Sequence, residues 1–346
     1  MRRHLNTLYV TTQQSYLSKD GQNVVIKVDG TQIGRVPIHT LGSVVCFGRV
    51  SMSPALMGFC AEQGVAIAYL SEHGRFLARV EGPVSGNVLL RREQYRLADD
   101  GARCATIVRS IVTGKTLNQR AVVRRALRDH GDRMDEAARA RLERAEERLT
   151  QAARRTGKLQ DTDALRGLEG EAAQLYFAVF DDLILGSQDA FSFQRRSRRP
   201  PLDPVNALLS FIYTLLLHDI RAALETVGLD PAVGFLHRDR PGRPSLALDL
   251  MEEFRPIVAD RLVLSLINRK QAKAKAFRHM ENGAVLMSDD LRKDVLVAYQ
   301  ERKRDQLMHP FLEERATVGL LWHLQAQLLA RHLRGDLDGY PPFVWK

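Results

Sequence analysis

Glu169 stands in the stretch Arg166-Gly167-Leu168-Glu169-Gly170-Glu171-Ala172-Ala173-Gln174-Leu175-Tyr176-Phe177. At helical spacing Glu169, Ala172, Ala173 and Tyr176 fall at i, i+3, i+4 and i+7, so this carboxylate shares a face with two small residues and an aromatic ring. Glu171 points elsewhere and can stay in water. An acid on a packed face is either a helix-initial residue favoured by the helix dipole or a ligand. A ligand needs company, and it stands downstream in Gly234-Phe235-Leu236-His237 and, after a Pro-Gly-rich turn from Arg240 to Pro244, in Leu248-Asp249-Leu250-Met251-Glu252-Glu253. One imidazole and several carboxylates make an oxygen-and-nitrogen donor set, which suits Mg²⁺ or Mn²⁺ rather than thiolate-bound zinc. With Leu250, Phe254, Ile257 and Val258 on the buried stripe of a helix, Asp249 and Glu252 take adjoining parts of the opposite side and Glu253 the flank, so phase leaves two candidates for a third ligand. His309, four residues before Glu313, is a rival ligand, but Pro310 favours a helix start and a capping or packing role. No phosphate loop, nucleophile elbow, dinucleotide fingerprint or His-Glu-x-x-His motif occurs.

The elements that must position these residues divide into two textures. Leu8 to about Val80 reads as strands, Leu8–Thr12, Val24–Val28, Gln32–Val36, Val44–Phe47, Val65–Leu70 and Phe76–Val80, with Asp20-Gly21 and Asp29-Gly30 as hairpin turns. One short helix, Ser53 to Gln63, is capped by Ser51 or Ser53. The breakers Gly82-Pro83-Val84-Ser85-Gly86 end that texture, so the expected domains are residues 1–85 and 86–346. Beyond them the spacing predicts a charged helix from Thr116 to about Arg155, a helix from Gly167 to about Phe180, and a buried helix from Asp203 to Val227 with Asp203 as cap and Pro204 at its first position. From Asp249 onward the pattern stays helical. The fold class is therefore α+β: a small β domain followed by a larger all-α domain that carries the site.

Asn206, near the start of the buried helix, serves the cap network or supports the site. The loop before it crowds Arg195, Arg196, Arg198 and Arg199, whose planar guanidinium forks suit phosphate contact. A second cationic run, Arg269, Lys270, Lys273, Lys275 and Arg278, reads either as a solvated helix face or as a DNA contact. With 51 Lys+Arg against 41 Asp+Glu the net charge is +10, which favours a polyanionic partner. The 3 cysteines, Cys46, Cys60 and Cys104, form neither a disulfide framework nor a zinc motif and fit a reducing cytoplasm. Met1-Arg2-Arg3 leads into no apolar signal region, and the run Ala207–Leu217 is too short to span a bilayer, so no membrane partner is expected.

Gly167-Leu168-Glu169-Gly170, the segment from Arg198 to Leu209, Gly234-Phe235-Leu236-His237 and Asp249 with Glu252 resemble the CRISPR-associated integrase family of spacer acquisition. The resemblance covers nearly the whole chain, and the closing Tyr340-Pro341-Pro342-Phe343-Val344-Trp345-Lys346 is similar to the subtype called I-C. The resemblance implies a divalent ion held by Glu169, His237 and Glu252, with Asp249 supporting. Glu252 replaces the aspartate common at its position, so ligation by Asp249 stays open. It also implies a homodimer that assembles with a small second CRISPR-associated protein, two dimers bridged by one dimer of that partner, acting on double-stranded DNA as fragment and CRISPR repeat. The implied reaction is attack of a fragment's 3′-hydroxyl on a phosphodiester. Two alternatives are a hydrolytic nuclease on branched DNA using the same site and a non-enzymatic DNA-binding scaffold whose acids merely pair with arginines.

Overall fold

The computed structural model describes residues 6–82, 88–185 and 191–345. The expected domain boundary at residue 85 and the start of the arginine loop, Ser187 to Ala190, lie outside them.

The N-terminal unit stacks two four-stranded sheets. One is a meander of β2 (Ser15–Asp20), β3 (Asn23–Val28) and β4 (Thr31–Pro37) with the two-residue β6 (Ser51–Met52) parallel to β2. The other has the order β1 (Asn6–Val10), β5 (Leu41–Phe47), β7 (Ala66–Leu70), β8 (Phe76–Val80), parallel except for its last pair. The β3–β4 hairpin turns through Asp29 and Gly30, both at positive φ, as a two-residue connection demands. β2 and β6 are additions to the expected strands; Ser15-Tyr16-Leu17-Ser18-Lys19-Asp20 is mostly polar and has only Leu17 fully buried among its apolar residues. Pro54–Gln63 forms α1, and Ser53 caps it by accepting the Leu56 N–H.

β5 explains how this unit is joined to the rest. Val44 and Cys46 point into the core between the sheets, whereas Val45 and Phe47 pack with Leu70 into the helical core. A strand buried on both faces reads as a continuous apolar run rather than an alternation.

The C-terminal unit is mostly helical. α2 (Val88–Asp99) leads into α3 (Gly101–His130), whose Asp100 cap accepts the N–H groups of Ala102 and Arg103. The single helix expected over Thr116–Arg155 is two: a short 3-10 turn at Gly131–Arg133 ends α3, and Asp135 caps α4 (Glu136–Thr156). α5 (Thr162–Ala178) starts five residues before the expected Gly167, capped by Asp161. Glu169 is therefore mid-helix, which removes the helix-dipole explanation of its position. α6 (Pro204–Val227) has the expected cap and proline. At 24 residues it is long and apolar enough by composition to cross a membrane, unlike the shorter run expected, but it lies in the core beside the helices Ser245–Phe254 and Val318–Leu333.

Beyond residue 245 the all-helical expectation fails in two places. α7 (Ser245–Phe254) continues through one π-helical stretch, Arg255–Asp260, into α8 (Arg261–Asn268). Two short hairpins then appear: β9 (Phe277–His279) with β10 (Val285–Met287) before α9 (Asp289–Arg304), and β11 (Gln306–Met308) with β12 (Arg315–Thr317) before α10 (Val318–Leu333). The cationic run is thus a turn, a 3-10 segment and an edge strand, not a helix face. Its exposed lysines gave no apolar stripe with which to judge the period.

A candidate cation site under an arginine rim

Three elements deliver the three residues. Glu169 comes from the middle of α5, His237 from the loop between α6 and α7, and Glu252 from the last turn of α7; all three line one cavity of ≈ 380 Å³.

The His237 loop is held by its backbone. Asp249, wholly buried, accepts the N–H groups of Phe235 (2.6 Å) and Leu236 (2.9 Å) on Oδ2 and that of His237 (2.9 Å) on Oδ1. His237 Nδ1 lies 2.7 Å from the same Oδ1. With a carboxylate there, Nδ1 donates to Asp249, and Nε2 is turned to the side where Glu252 Oε1 stands 3.8 Å away. Arg166 closes the loop from the other side, donating Nε to the Leu236 carbonyl (2.6 Å) and Nη2 to that of Phe235 (3.1 Å). Gly234 is required here: a Cβ would lie 2.8 Å from the Ser245 carbonyl carbon and 2.9 Å from Asp249 Oδ2.

α7 has no exposed side, contrary to the phase argument. Asp249, Glu252 and Glu253 are all buried and part toward three destinations. Asp249 serves the loop and Glu252 the cavity. Glu253, expected on a flank, instead anchors the C-terminal segment, accepting from Gln325 Nε2 (2.8 Å), the Tyr340 hydroxyl (2.7 Å) and the Phe343 N–H (2.7 Å). After Phe254 the helix widens, because Pro256 has no N–H with which to close an α-helical turn. The widened turn lines the cavity with Arg255, Pro256 and Asp260.

Lys115, on α3, was missed by sequence reasoning. Its ammonium meets Glu169 Oε1 and lies 2.7 Å from Glu252 Oε2, with the lysine side chain 7% and the Glu252 side chain 2% exposed. Arg255 pairs with Glu252 Oε1. Burial alone would raise the Glu252 carboxyl, but Arg255 and Lys115 outweigh it and hold the group well below the usual carboxylate range. Burial likewise opposes the Lys115 ammonium, and Glu252 and Glu169 outweigh it and raise its pKa. The available signal was a lysine in phase with Val108, Ile111, Val112 and Val122, where a helix stripe is otherwise buried.

The expected cations part company. Arg198 lines the cavity; Arg195 and Arg199 are exposed beside it in sequence and do not. Arg196 is spent on structure, donating to the Ser197 carbonyl (2.6 Å), Asn206 Oδ1 (2.5 Å) and Ser210 Oγ (3.2 Å) and lying over the Tyr213 ring. Asn206 belongs to that same network, donating to the Arg195 carbonyl (2.8 Å) and Asp203 Oδ2 (2.5 Å); it is not a cavity-lining residue. Lys270, Lys273, Lys275 and Arg278 are exposed away from the cavity lining. Their hairpin nevertheless abuts the arginine loop, since the Val285 N–H donates to the Pro201 carbonyl (2.9 Å) and Phe277 packs edge-on against Phe191. Arg238, Arg240 and Arg243, in the turn after His237, complete the rim and were not singled out from sequence. His309 is buried against Phe343, with Nε2 bonded to Gln325 and Nδ1 accepting the Phe311 and Leu312 N–H groups, so it packs and caps as expected.

A two-sheet unit leads into a helical body, with acids and an imidazole gathered beneath arginines, and this arrangement runs through a family of proteins. Residues 8–301 match the family model described as CRISPR associated protein Cas1, and the chain belongs to that family. It is 57% identical over 346 residues, the full length of both chains, to a CRISPR-associated endonuclease Cas1 of Chlorobaculum tepidum. It is 59% identical over 347 residues, again covering both chains fully, to one of Rhodospirillum rubrum. Among solved structures, a Cas1 protein from Thermotoga maritima superposes with a TM-score of 0.80 at 21% identity, covering 95% of this chain and 97% of that one. A casposase bound to integration product gives 0.82 at 20% identity, covering 97% and 93%.

Proposed function

We propose that this chain joins short DNA fragments into a CRISPR array, by attack of a fragment's 3′-hydroxyl on a phosphodiester seated over the cavity. The observation that carries this reading is the convergence of Glu169, Glu252 and the free Nε2 face of His237 beneath Arg198, Arg238, Arg240 and Arg243. Relatives named as endonucleases over the full length, and a fold shared with a casposase bound to integration product, support it.

The donor set fits Mg²⁺ or Mn²⁺. Two carboxylates and one neutral imidazole nitrogen suit a hard divalent cation, and Glu252 Oε2 is buried without a well-directed hydrogen-bond donor. As the side chains lie, no three His, Cys, Asp or Glu groups among the described residues stand close enough to hold one ion, because Lys115 stands between Glu169 and Glu252. An ion held by Glu169, His237 and Glu252 would polarise the phosphoryl oxygen and offset charge developing in the displacement. The chain's own residues do the rest. Asp249 fixes the His237 tautomer, Arg166 fixes its loop, Arg255 compensates Glu252 within the wall, and the rim arginines bind phosphate oxygens and set the strand over the acids.

The ion pairs of Lys115 and Arg255 are also what a non-enzymatic scaffold would show. Titration of Mn²⁺ with end-labelled DNA decides: joined products support the integrase, shortened products alone a hydrolytic nuclease, and a shifted but intact substrate the scaffold. The proposal extends to a homodimer bound to a small second CRISPR-associated protein in a heterohexamer, to subtype I-C, to a cytoplasmic setting, and to division of the chain into domains 1–85 and 86–346.

A further inference from the structure

The cation-binding reading leaves one buried charge to account for. Lys115 supplies the only contact to Glu252 Oε2 recorded among the described residues, and the same ammonium meets Glu169 Oε1. Two carboxylates drawn together in a poorly solvated wall repel one another unless a cation stands between them. Oε1 of Glu252 is already engaged by Arg255, so any divalent ion that takes Glu169 and Glu252 together must take the place of this ammonium.

The displaced group would have somewhere to go. Gln119 lies one turn further along α3, is 2% exposed and lines the same cavity, and its Oε1 is buried without a hydrogen-bond partner. Side chains four residues apart on a helix are neighbours. A buried amide oxygen without a donor is a destabilising arrangement unless some state of the protein supplies one.

We propose that Lys115 is an exchangeable counter-cation: it holds Glu169 and Glu252 together before the divalent ion binds, yields its place to that ion, and is received by Gln119 Oε1. The proposal rests on the cation-binding reading of Glu169, His237 and Glu252. Lys115 is then a positioning residue that sets how much divalent cation the protein needs. Because ammonium and metal compete for one place, the observed metal affinity is the intrinsic affinity reduced by the occupancy of the lysine.

Competition gives the lysine opposite effects on two measurements. Lys115→Met keeps the length of the stem and removes the charge. It should lower the melting temperature in EDTA, since the carboxylates lose their counter-ion, while tightening Mn²⁺ binding by roughly tenfold, an ordinary coupling between ligands of one site. A merely structural lysine would lower the melting temperature and leave Mn²⁺ affinity unchanged or weaker. Gln119→Met removes the receiving oxygen without touching the resting pair, so it should weaken Mn²⁺ binding several-fold and leave the melting temperature in EDTA unreduced. Isothermal titration of Mn²⁺ alone into the full chain reads all three proteins, with Glu252→Gln as the reference for loss of the site. A folded Lys115→Met protein that binds Mn²⁺ no tighter than wild type overturns the exchange. Should that variant fail to fold, an unchanged Mn²⁺ affinity in Gln119→Met overturns it. If wild type binds no Mn²⁺, or Glu252→Gln binds as well as wild type, the cation-binding reading itself fails and this proposal with it.

Discussion

At the scale of single residues, the choice between Asp249 and Glu252 turns on free lone pairs. Asp249 receives three backbone N–H groups and faces Nδ1 of His237, which uses both its oxygens. Glu252 lines the cavity, and the contact of its Oε2 found among the described residues is the Lys115 ammonium. Glu252→Gln should therefore lower strand joining on the order of 10³-fold and abolish Mn²⁺ binding, whereas Asp249→Asn, which disturbs the orientation of His237 and removes no ligand, should lose about 10–100-fold. Equal losses in a labelled-DNA joining assay would return Asp249 to the ligand set. Gly234→Ala tests the loop itself: its Cβ would press on Ser245 backbone, so we expect about 1–3 kcal/mol of lost stability in urea unfolding together with reduced joining. A variant as stable and active as wild type would mean that the loop moves freely. That Glu169, His237 and Glu252 line one cavity was legible through the motifs that carry them. Lys115, Arg166 and the rim turn were not, because their roles depend on where α3 and α5 cross, which spacing along the chain does not encode.

At the scale of elements, the helix α7 to α8 is the part the rest of the site leans on. Its π turn places Asp260 in the cavity wall, where Tyr213 donates its hydroxyl to Oδ1 at 2.6 Å, and burial pushes the Asp260 carboxyl up to about 6 despite that bond. The sign follows from proton counting. The folded state holds a proton that the unfolded chain, at the ordinary aspartate value of 3.8, gives up first, so the contribution is fully present below pH 3.8 and is lost as pH rises through about 6. The span corresponds to roughly 3 kcal/mol. Asp260→Asn should thus gain stability relative to wild type as pH rises from about 3.8 through about 6, and parallel pH profiles of the two proteins across that range in denaturant titrations would exclude the assignment. Helix caps were readable in advance, as Ser53, Asp203 and Pro204 show, since a cap is a local hydrogen bond. The split of the long charged helix at Gly131 and the π turn at Pro256 were not read. Arginine-rich surface gives no apolar period to interrupt, and a proline in a buried helix can be met either by a kink or by a widened turn.

At the scale of the whole molecule, two groups of cations, mostly exposed, stand out in a chain of net charge +10. Arg198, Arg238, Arg240 and Arg243 ring the cavity, whereas Lys270, Lys273, Lys275 and Arg278 lie on and before the β9 hairpin, which joins the arginine loop at Pro201. A duplex laid across both would have its reacting phosphate at the first and its flank along the second. Each phosphate contact contributes about 0.9 to the slope of log affinity against log salt. Arg240→Ala with Arg243→Ala should therefore lower that slope by about 1.8 and also depress joining at saturating DNA, because the phosphate over the acids is no longer held. Lys273→Ala with Lys275→Ala should lower the slope by a similar amount, about 1.8, and leave joining at saturating DNA near the wild-type rate. Filter binding across a salt series, with joining measured on the same substrate, separates the two. If the lysine pair leaves the slope unchanged, the hairpin is a solvated surface and DNA is held by the rim alone; if the arginine pair leaves joining unchanged, the cavity is not where the phosphate sits.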